Sequence, residues 1–129
     1  MSTVLDKVDG LEPDMVAAGM GVVRGLVGLS CMFAPGLTWR VVAGYAPEGS
    51  TAPVRMLGAR ELVIGAGILT ADDDRELGRW ITAAAISDAG DGAAHLITRV
   101  ARGKGRWLSV VGGVLMAAFG LRIAQRLGK

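Results

Sequence analysis

Two aspartates and a histidine fall on one face of a predicted helix. Asp88, Asp91 and His95 are spaced i, i+3 and i+7, so a period of about 3.6 residues places all three within an arc of about 60°. Carboxylates beside an imidazole are the residue types of a proton relay or an ion site. The spacing also permits a metal site, but a single histidine with two arginines nearby disfavours one. We predict no bound metal and no cofactor.

Three further charged residues lie within the apolar runs that precede this helix. Arg24 is in the first run, and Arg60 and Glu61 are in the second. A charged side chain at the centre of a membrane helix costs about 2.5–3.5 kcal/mol on insertion scales, so these residues need partners. We therefore predict a buried network in which two arginines neutralise two of three carboxylates. Its members are Arg24, Arg60, Glu61, Asp88 and Asp91, with His95 beside them.

The remaining carboxylate has two interpretations. In the structural one it is protonated, or paired with Arg99 or His95, and the network fixes the register of the helices, because buried polar groups need partners in any protein. In the functional one, desolvation and a like-charged neighbour favour the neutral form of an aspartate, which forms a proton relay or ion site beside His95. The spacing is compatible with both.

Two enzyme motifs have partial matches in the chain. The segment Asp88-Ala-Gly-Asp-Gly resembles the opening of the CDP-alcohol phosphotransferase signature, but His95 and Leu96 replace its Ala-Arg, and no aspartate follows Asp91. The segment Asp72-Asp-Asp-Arg-Glu resembles an acidic prenyl-diphosphate motif without its second copy, and it is better explained as a helix start. We therefore predict that the protein is not an enzyme.

Composition limits the classes of protein further. The chain has 129 residues, of which 51% are hydrophobic and twenty are glycine, as expected for one domain that is either a compact membrane bundle or an unusually apolar soluble fold. Its fourteen basic and twelve acidic residues are scattered, so no nucleic-acid partner is indicated. Cys31 is the only cysteine, which excludes an intrachain disulfide, a zinc cluster or a CxxC redox pair.

Four apolar runs must position the charged residues. They span about residues 16–35, 55–71, 80–98 and 107–124, which is near the length of about 17–25 residues that a membrane-spanning helix needs. We predict an all-α fold, a four-helix transmembrane bundle located in the cell membrane. Residues 1–15 form a polar tail without the basic start of a signal peptide, and residues 16–129 form a single membrane domain.

Residues at the ends of the runs support this division. Pro35 and Gly36 end the first helix, and Pro53 lies before the second. The acidic segment 72–76 precedes the third, where carboxylates cap free amides and meet the positive end of the helix dipole. Trp80 and Trp107 each open a run, as in the aromatic belt at a membrane interface. The link from Gly36 to Ala52 contains apolar residues and Arg40, and it is suited to the membrane surface.

A soluble helical bundle is the alternative architecture. Against it, glycines within the runs would weaken a water-soluble helix by up to about 1 kcal/mol each, whereas membrane helices use small residues for close packing. Gly21 and Gly25 form a GxxxG pattern, and Gly113 with Ala117 forms a second pair of this kind. Alternating four spans places six basic residues on each side. The cluster from Arg99 to Arg106 favours a cytoplasmic third link, but the balance leaves the orientation open.

The chain also resembles a known family between about Gly21 and Arg126. The matching elements are Arg24 with Gly28, Ala34-Pro35, Leu57-Gly-Ala-Arg-Glu61 with Gly65 and Leu69, Trp80, and Asp88-x-x-Asp91. They resemble a family of small bacterial four-helix membrane proteins of unknown function. Similar segments occur in the N-terminal membrane region of bacterial proteins that carry a polyketide cyclase/dehydrase-like domain. The Gly-Ala-Arg-Glu element and the paired aspartates are its most specific parts. The resemblance implies a membrane bundle and assigns no catalytic role to these elements.

Two functions fit these observations. The first is a non-catalytic accessory or scaffold subunit that uses Gly-rich faces to pack on itself or on a partner protein in the bilayer. The second is a small proton-coupled transporter or channel, acting as a homo-oligomer because four short helices enclose little pathway alone. The substitution Asp91→Asn distinguishes them. A scaffold should lose stability or assembly, whereas a transporter should keep its fold and lose pH-dependent flux.

Overall fold

The computed structural model describes residues 10–43, 49, 51–98 and 104–128. Within these ranges the chain is all-helical, without strands. Its five helices are α1 (Pro13–Phe33), α2 (Pro35–Ala43), α3 (Thr51–Leu69), α4 (Asp74–Thr98) and α5 (Lys104–Leu127). The all-α fold class and the helical bundle are confirmed, and each of the four predicted helices corresponds to one long helix. Of the predicted polar tail, residues 1–9 lie outside the described ranges.

Helix α1 begins and ends at prolines. It starts at Pro13, three residues before the predicted start, with Asp14 in its first turn, because a proline at the first helical position lacks only an N–H that would be unpaired there. It ends at Phe33, since Ala34 has the non-helical angles φ −131° and ψ 51° and the residue before a proline is driven out of the helical region. Pro35 then starts the short helix α2 within the link that was predicted to lie on the membrane surface.

Helix α4 begins six residues before its predicted start. The Asp73 carboxylate accepts a hydrogen bond from the Glu76 N–H at 2.7 Å, and the Glu76 carboxylate accepts one from the Asp72 N–H at 3.1 Å. Asp73 is therefore the N-cap of the helix, and Glu76 reaches back to the residue before it, which resembles a capping box shifted by one residue. The prediction that the acidic segment starts a helix is confirmed, and its caps extend the helix beyond the apolar run.

The long helices pack as two pairs. Helices α1 and α3 pack mainly against each other and form the first pair. Helices α4 and α5 likewise form the second pair. Glycines set both distances: a Cβ atom added to Gly28 would lie 2.9 Å from the Gly58 carbonyl oxygen, and one added to Gly113 would lie 2.6 Å from the Asp88 carbonyl oxygen. Such contacts are closer than any side chain permits, so glycine is required where the backbones meet.

An apolar core joins the two pairs at one end of the bundle. We call this the core end; α1 and α4 begin here, and α3 and α5 end here. The buried residues of the core are Ala17, Met20, Ile64, Ile68, Leu77, Ile81, Ala84 and Ile123. Trp80 packs against this core, and a Cβ atom on Gly67 would overlap its ring. Trp80 therefore contributes to packing between the pairs, while Trp107 is 60% exposed.

Two helical segments among the described residues are long and apolar enough to cross a membrane. They are Pro13–Phe33 and Val110–Leu127. The sequence predicts four spans, and the other two long helices differ for a physical reason: they carry most of the embedded charges. Arg60 and Glu61 lower the average hydropathy of α3, and Asp88 and Asp91 lower that of α4. Length and composition therefore single out only the helices with the fewest embedded charges.

Candidate functional site: a buried ion-pair network

The centre of the network is Arg24, which reaches across to two other helices. Its Nη1 donates to Glu61 Oε2 at 2.6 Å, and its Nη2 donates to Asp88 Oδ2 at 2.5 Å. The side chains of Arg24, Glu61 and Asp88 are 7%, 8% and 13% exposed. One guanidinium therefore connects α1, α3 and α4 in an almost dry environment, where charge-assisted hydrogen bonds are strong.

Arg60 forms the second half of the network nearer the surface. Its Nη1 and Nη2 donate to Asp91 Oδ1 and Oδ2 at 2.8 and 2.6 Å, and Nη2 also donates to Glu61 Oε1 at 3.0 Å. The Arg60 and Asp91 side chains are 33% and 43% exposed. The parallel pair of bonds is the bidentate geometry that a guanidinium forms with a carboxylate. Glu61 accepts from both arginines and links the dry and exposed halves.

Local sequence explains why the network forms where it does. Arg24 lies between Gly21 and Gly28 on the buried side of α1, and Glu61 is buried on α3 with Gly58 and Gly65 on the same side. A Cβ atom on Gly65 would lie 2.9 Å from the Gly21 carbonyl oxygen, so the two backbones nearly touch there. These glycines therefore serve the contact between α1 and α3 within the chain.

The network bridges the two helix pairs. The first pair supplies Arg24, Arg60 and Glu61, and the second pair supplies Asp88 and Asp91. The first pair therefore contributes an excess of one positive charge, and the second contributes two negative charges. Two of the ion pairs, Arg24 with Asp88 and Arg60 with Asp91, cross between the pairs. The two helix pairs are thus joined by apolar contacts at the core end and by ion pairs further along the bundle.

The network has one carboxylate more than it has arginines, as predicted, but no single carboxylate is left without a hydrogen-bond donor. Glu61, Asp88 and Asp91 each accept a hydrogen bond from an arginine, although two guanidiniums face three carboxylates. Arg99, named as a further partner, lies outside the described residues. The network therefore satisfies every carboxylate with a donor and still has one negative charge in excess when all members are ionised.

His95 lies at the open end of the network, on a cavity between α3 and α4. The cavity has a volume of about 400 Å³ and is lined by Pro53, Met56, Leu57, Arg60, Asp91, Ala94 and His95. The described ion pairs do not include His95. Arg60 and Asp91 thus connect this cavity to the buried centre. Of the three residues predicted to share a face, Asp91 and His95 line this cavity, and Asp88 and Asp91 join the described ion pairs.

The remaining cavity residues were not identified from the sequence, although a signal for them exists. Pro53, Met56, Leu57 and Arg60 are spaced i, i+3, i+4 and i+7, which is one face of a helix. Arg60 was already predicted to belong to the charged network. Pro53, Met56 and Leu57 lie on the same helix face as Arg60, so the helical period would have identified them as the apolar wall of the cavity.

Metal-binding geometry is absent from the described part of the chain. No group of three His, Cys, Asp or Glu side chains there is arranged to hold a metal ion. Arg60 already donates to both Asp91 oxygens, which occupies the ligand atoms nearest the cavity. The Nε atoms of Arg24 and Arg60 are buried and have no hydrogen-bond acceptor within the described ranges, so both arginines act through their Nη groups.

No protein-family model, curated protein or solved structure matches this chain. The resemblance to small bacterial four-helix membrane proteins therefore stays a prediction. The interpretation of the site depends on its own geometry.

Proposed function

We propose that the protein is an integral membrane protein with four spans, serving as a non-catalytic accessory or scaffold subunit. One observation carries the membrane assignment. The four predicted runs, 16–35, 55–71, 80–98 and 107–124, contain seven Asp, Glu, Lys or Arg residues. Five are the members of the ion-pair network, and the other two, Arg55 and Arg122, lie within three residues of the end of a run. Charges deep inside a run thus occur only where another such charge pairs with them, which is the arrangement that hydrocarbon requires.

The outer surface of the bundle supports the same assignment. Along α1, the only Asp, Glu, Lys or Arg between Met15 and Phe33 is the buried Arg24. The large hydrophobic residues of α1 that face outward are Met15, Val22, Val23, Leu26, Val27, Leu29 and Phe33, which are 41–83% exposed. Soluble monomers rarely expose a continuous apolar patch of more than a few hundred Å². Lipid chains are the environment in which this surface is stable.

The soluble alternative requires an apolar helix to be mostly buried. The two apolar segments are instead 33% buried for Pro13–Phe33 and 17% buried for Val110–Leu127. In water, each exposed Å² of apolar surface forgoes about 25 cal/mol of burial free energy. A four-span bundle explains both the exposed apolar surface and the charged interior.

Membrane insertion is tested by extraction. We expect the expressed protein to sediment with membranes after alkaline carbonate treatment and to need detergent for release. The variant Val23→Glu places a charge on the outer face of α1, whereas Asp14→Glu leaves the charge at the helix start unchanged. Val23→Glu should reduce the membrane-inserted fraction and Asp14→Glu should not. Release of the unaltered protein by carbonate would contradict the membrane assignment.

The ion pairs support a structural role for the embedded charges. Each carboxylate of the network accepts from a guanidinium, and both crossing pairs join one helix pair to the other. Groups engaged in this way fix the register of a bundle. The proposed accessory role follows from a rigid interior combined with an apolar outside that is available to another membrane protein or to a second copy of the chain.

The surface for such a partner is proposed on α4. Ala89, Gly90 and Ala93 are exposed there, and a Cβ atom on Gly90 would meet no atom within 4 Å. Small outward residues let a second helix approach closely. Most other glycines of α1 and α3 face inward, so this part of α4 is the proposed packing surface.

Assembly is tested with two matched substitutions. A Cβ atom added at Gly90 or at Gly112 would meet no atom within 4 Å, so we expect both leucine variants to fold. We expect Gly90→Leu to reduce crosslinked oligomers, or co-purification of a partner, at least tenfold in membranes, with little effect of Gly112→Leu. Equal behaviour of both variants and the unaltered protein would contradict the proposed surface.

A small proton-coupled transporter or channel is the second proposed function, and the cavity beside Asp91 favours it. The substitution Asp91→Asn separates the two functions, with Asp14→Asn as a control at an exposed helix start. A scaffold should lose thermal stability or assembly in Asp91→Asn. A transporter should keep both and lose pH-dependent flux in proteoliposomes.

A further inference from the structure

The network has one more negative than positive charge, and this excess lies between helices of the proposed membrane bundle. Two guanidiniums face three carboxylates, of which Glu61 and Asp88 are 8% and 13% exposed. An unbalanced charge in a poorly solvated site is costly, and uptake of a proton is the usual way a protein removes it. We propose that the network binds one exchangeable proton, which enters and leaves through the cavity lined by Asp91 and His95. The inference depends on the ion pairs and adds to the scaffold role.

The side chains of the network become more exposed to solvent from Arg24 towards Asp91. Arg24, Glu61 and Asp88 are nearly buried, whereas Arg60 and Asp91 are 33% and 43% exposed. Arg60 donates to both Glu61 and Asp91, so a guanidinium that keeps its own protons separates these two carboxylates. Asp91 is the most exposed carboxylate of the network and lines the cavity, so it is the member at which a proton enters and leaves.

The core end of the bundle is apolar beside the network. Ile64, Ile68, Ile81 and Ile123 there are 0–7% exposed, and they carry no group that transfers a proton. A cavity at this end lies between α4 and α5, and no residue of the network lines it. The cavity of about 400 Å³ between the start of α3 and the end of α4 is lined by Arg60 and Asp91, so we place the entrance for the proton there.

A proton fits this site better than a metal cation. The positive charge of the Arg60 guanidinium lies 2.6–2.8 Å from the Asp91 oxygens, and it repels a second cation such as Na⁺ or Ca²⁺ at this carboxylate. The groups that face the cavity with charge or titrating capacity are Arg60 from α3 and Asp91 and His95 from α4. Arg24 and Glu61 lie behind them. His95 lines the same cavity as Asp91.

The experiment is an infrared titration of the protein in lipid vesicles, from about pH 5 to about pH 9, over which exposed carboxylates stay ionised. We expect a protonated-carboxyl band in the unaltered protein that titrates with an amplitude of about one proton per chain. Asp88→Asn or Asp91→Asn removes the excess charge, so either substitution should abolish the band. Glu12→Gln, at the exposed start of α1, should leave it unchanged. If no carboxyl of the unaltered protein titrates in this range, or if the band persists in both Asp→Asn variants, the proposal is wrong.

The route is tested by the rate at which the same band shifts in D₂O. Ala94 lines the cavity, and Ala59, beside Arg60 on α3, is exposed but does not. Ala94→Phe should slow the deuterium shift at least tenfold with the band amplitude unchanged, while Ala59→Phe should match the unaltered protein. Equal rates in the two variants would overturn the assignment of the cavity as the entrance. Neither result depends on a scaffold role, which the crosslinking of Gly90→Leu tests separately.

Discussion

Arg24 on the first helix pair and Asp88 on the second are joined by a hydrogen bond of 2.5 Å between Nη2 and Oδ2. The same guanidinium holds Glu61 at 2.6 Å. A single buried side chain thus connects three of the four long helices. The stability of the bundle should therefore depend strongly on Arg24.

Removal of the Arg24 charge should be strongly destabilising. Arg24→Gln leaves Glu61 and Asp88 buried without their shared cation, and breaking a buried ion pair costs about 3–5 kcal/mol. Denaturant titration in mixed micelles measures the loss. Arg55→Gln is the matched control, since Arg55 is exposed near the start of α3, and it should change stability by less than about 0.5 kcal/mol. Similar losses in both variants would contradict a special role of Arg24.

Substitution of Arg60 by lysine should cost less. Arg60→Lys keeps the charge but loses the two parallel bonds to Asp91, because an ammonium group lacks the planar fork. The site is one-third exposed, so we expect a loss of about 1 kcal/mol. The same denaturant titration compares it with Arg24→Lys, in which one ammonium must replace a bridge to two helices. A larger loss for Arg60→Lys than for Arg24→Lys would disagree with the observed geometry.

Two Gly→Ala substitutions should distinguish the effect of close helix packing on stability from the effect of helix propensity. A Cβ atom on Gly58 would lie 2.7 Å from Cys31 Cβ and 2.8 Å from the Gly28 carbonyl oxygen, so Gly58→Ala forces α1 and α3 apart and should cost about 1–3 kcal/mol. Gly90→Ala adds its methyl group in open space. It should be neutral, or stabilising by up to about 1 kcal/mol. Thermal unfolding in detergent measures both, and a harmless Gly58→Ala would refute the close contact.

The single cysteine offers a probe of the same contact. Cys31 is 1% exposed and lies at the α1–α3 interface beside Gly58. We expect a maleimide to label it at least tenfold more slowly in the folded protein than after denaturation. Gly58→Ala should speed the labelling, because it opens this interface, while Gly90→Ala should not. Mass spectrometry follows the reaction, and rapid labelling of the folded protein would show that Cys31 is not enclosed.

Local sequence features determined the positions of the long helices. Pro13, Pro35 and the capping residues Asp73 and Glu76 act within a few residues of where they stand, so their effects can be read from the chain. The four long helices still start three to six residues before the predicted apolar runs, because caps extend a helix into polar sequence. The members of the network were also identifiable, since a charge in an apolar run needs a partner whatever the fold.

Tertiary structure alone decided which charges meet and where the network is open. The sequence counts two arginines and three carboxylates, but pairing among residues separated by 31–64 positions depends on which helices pack together. That packing follows from glycine contacts between backbones and from the apolar core at one end, and a helical period describes neither. The shared Glu61, the fork between Arg60 and Asp91, and the cavity beside His95 therefore arise from the packing of two helix pairs.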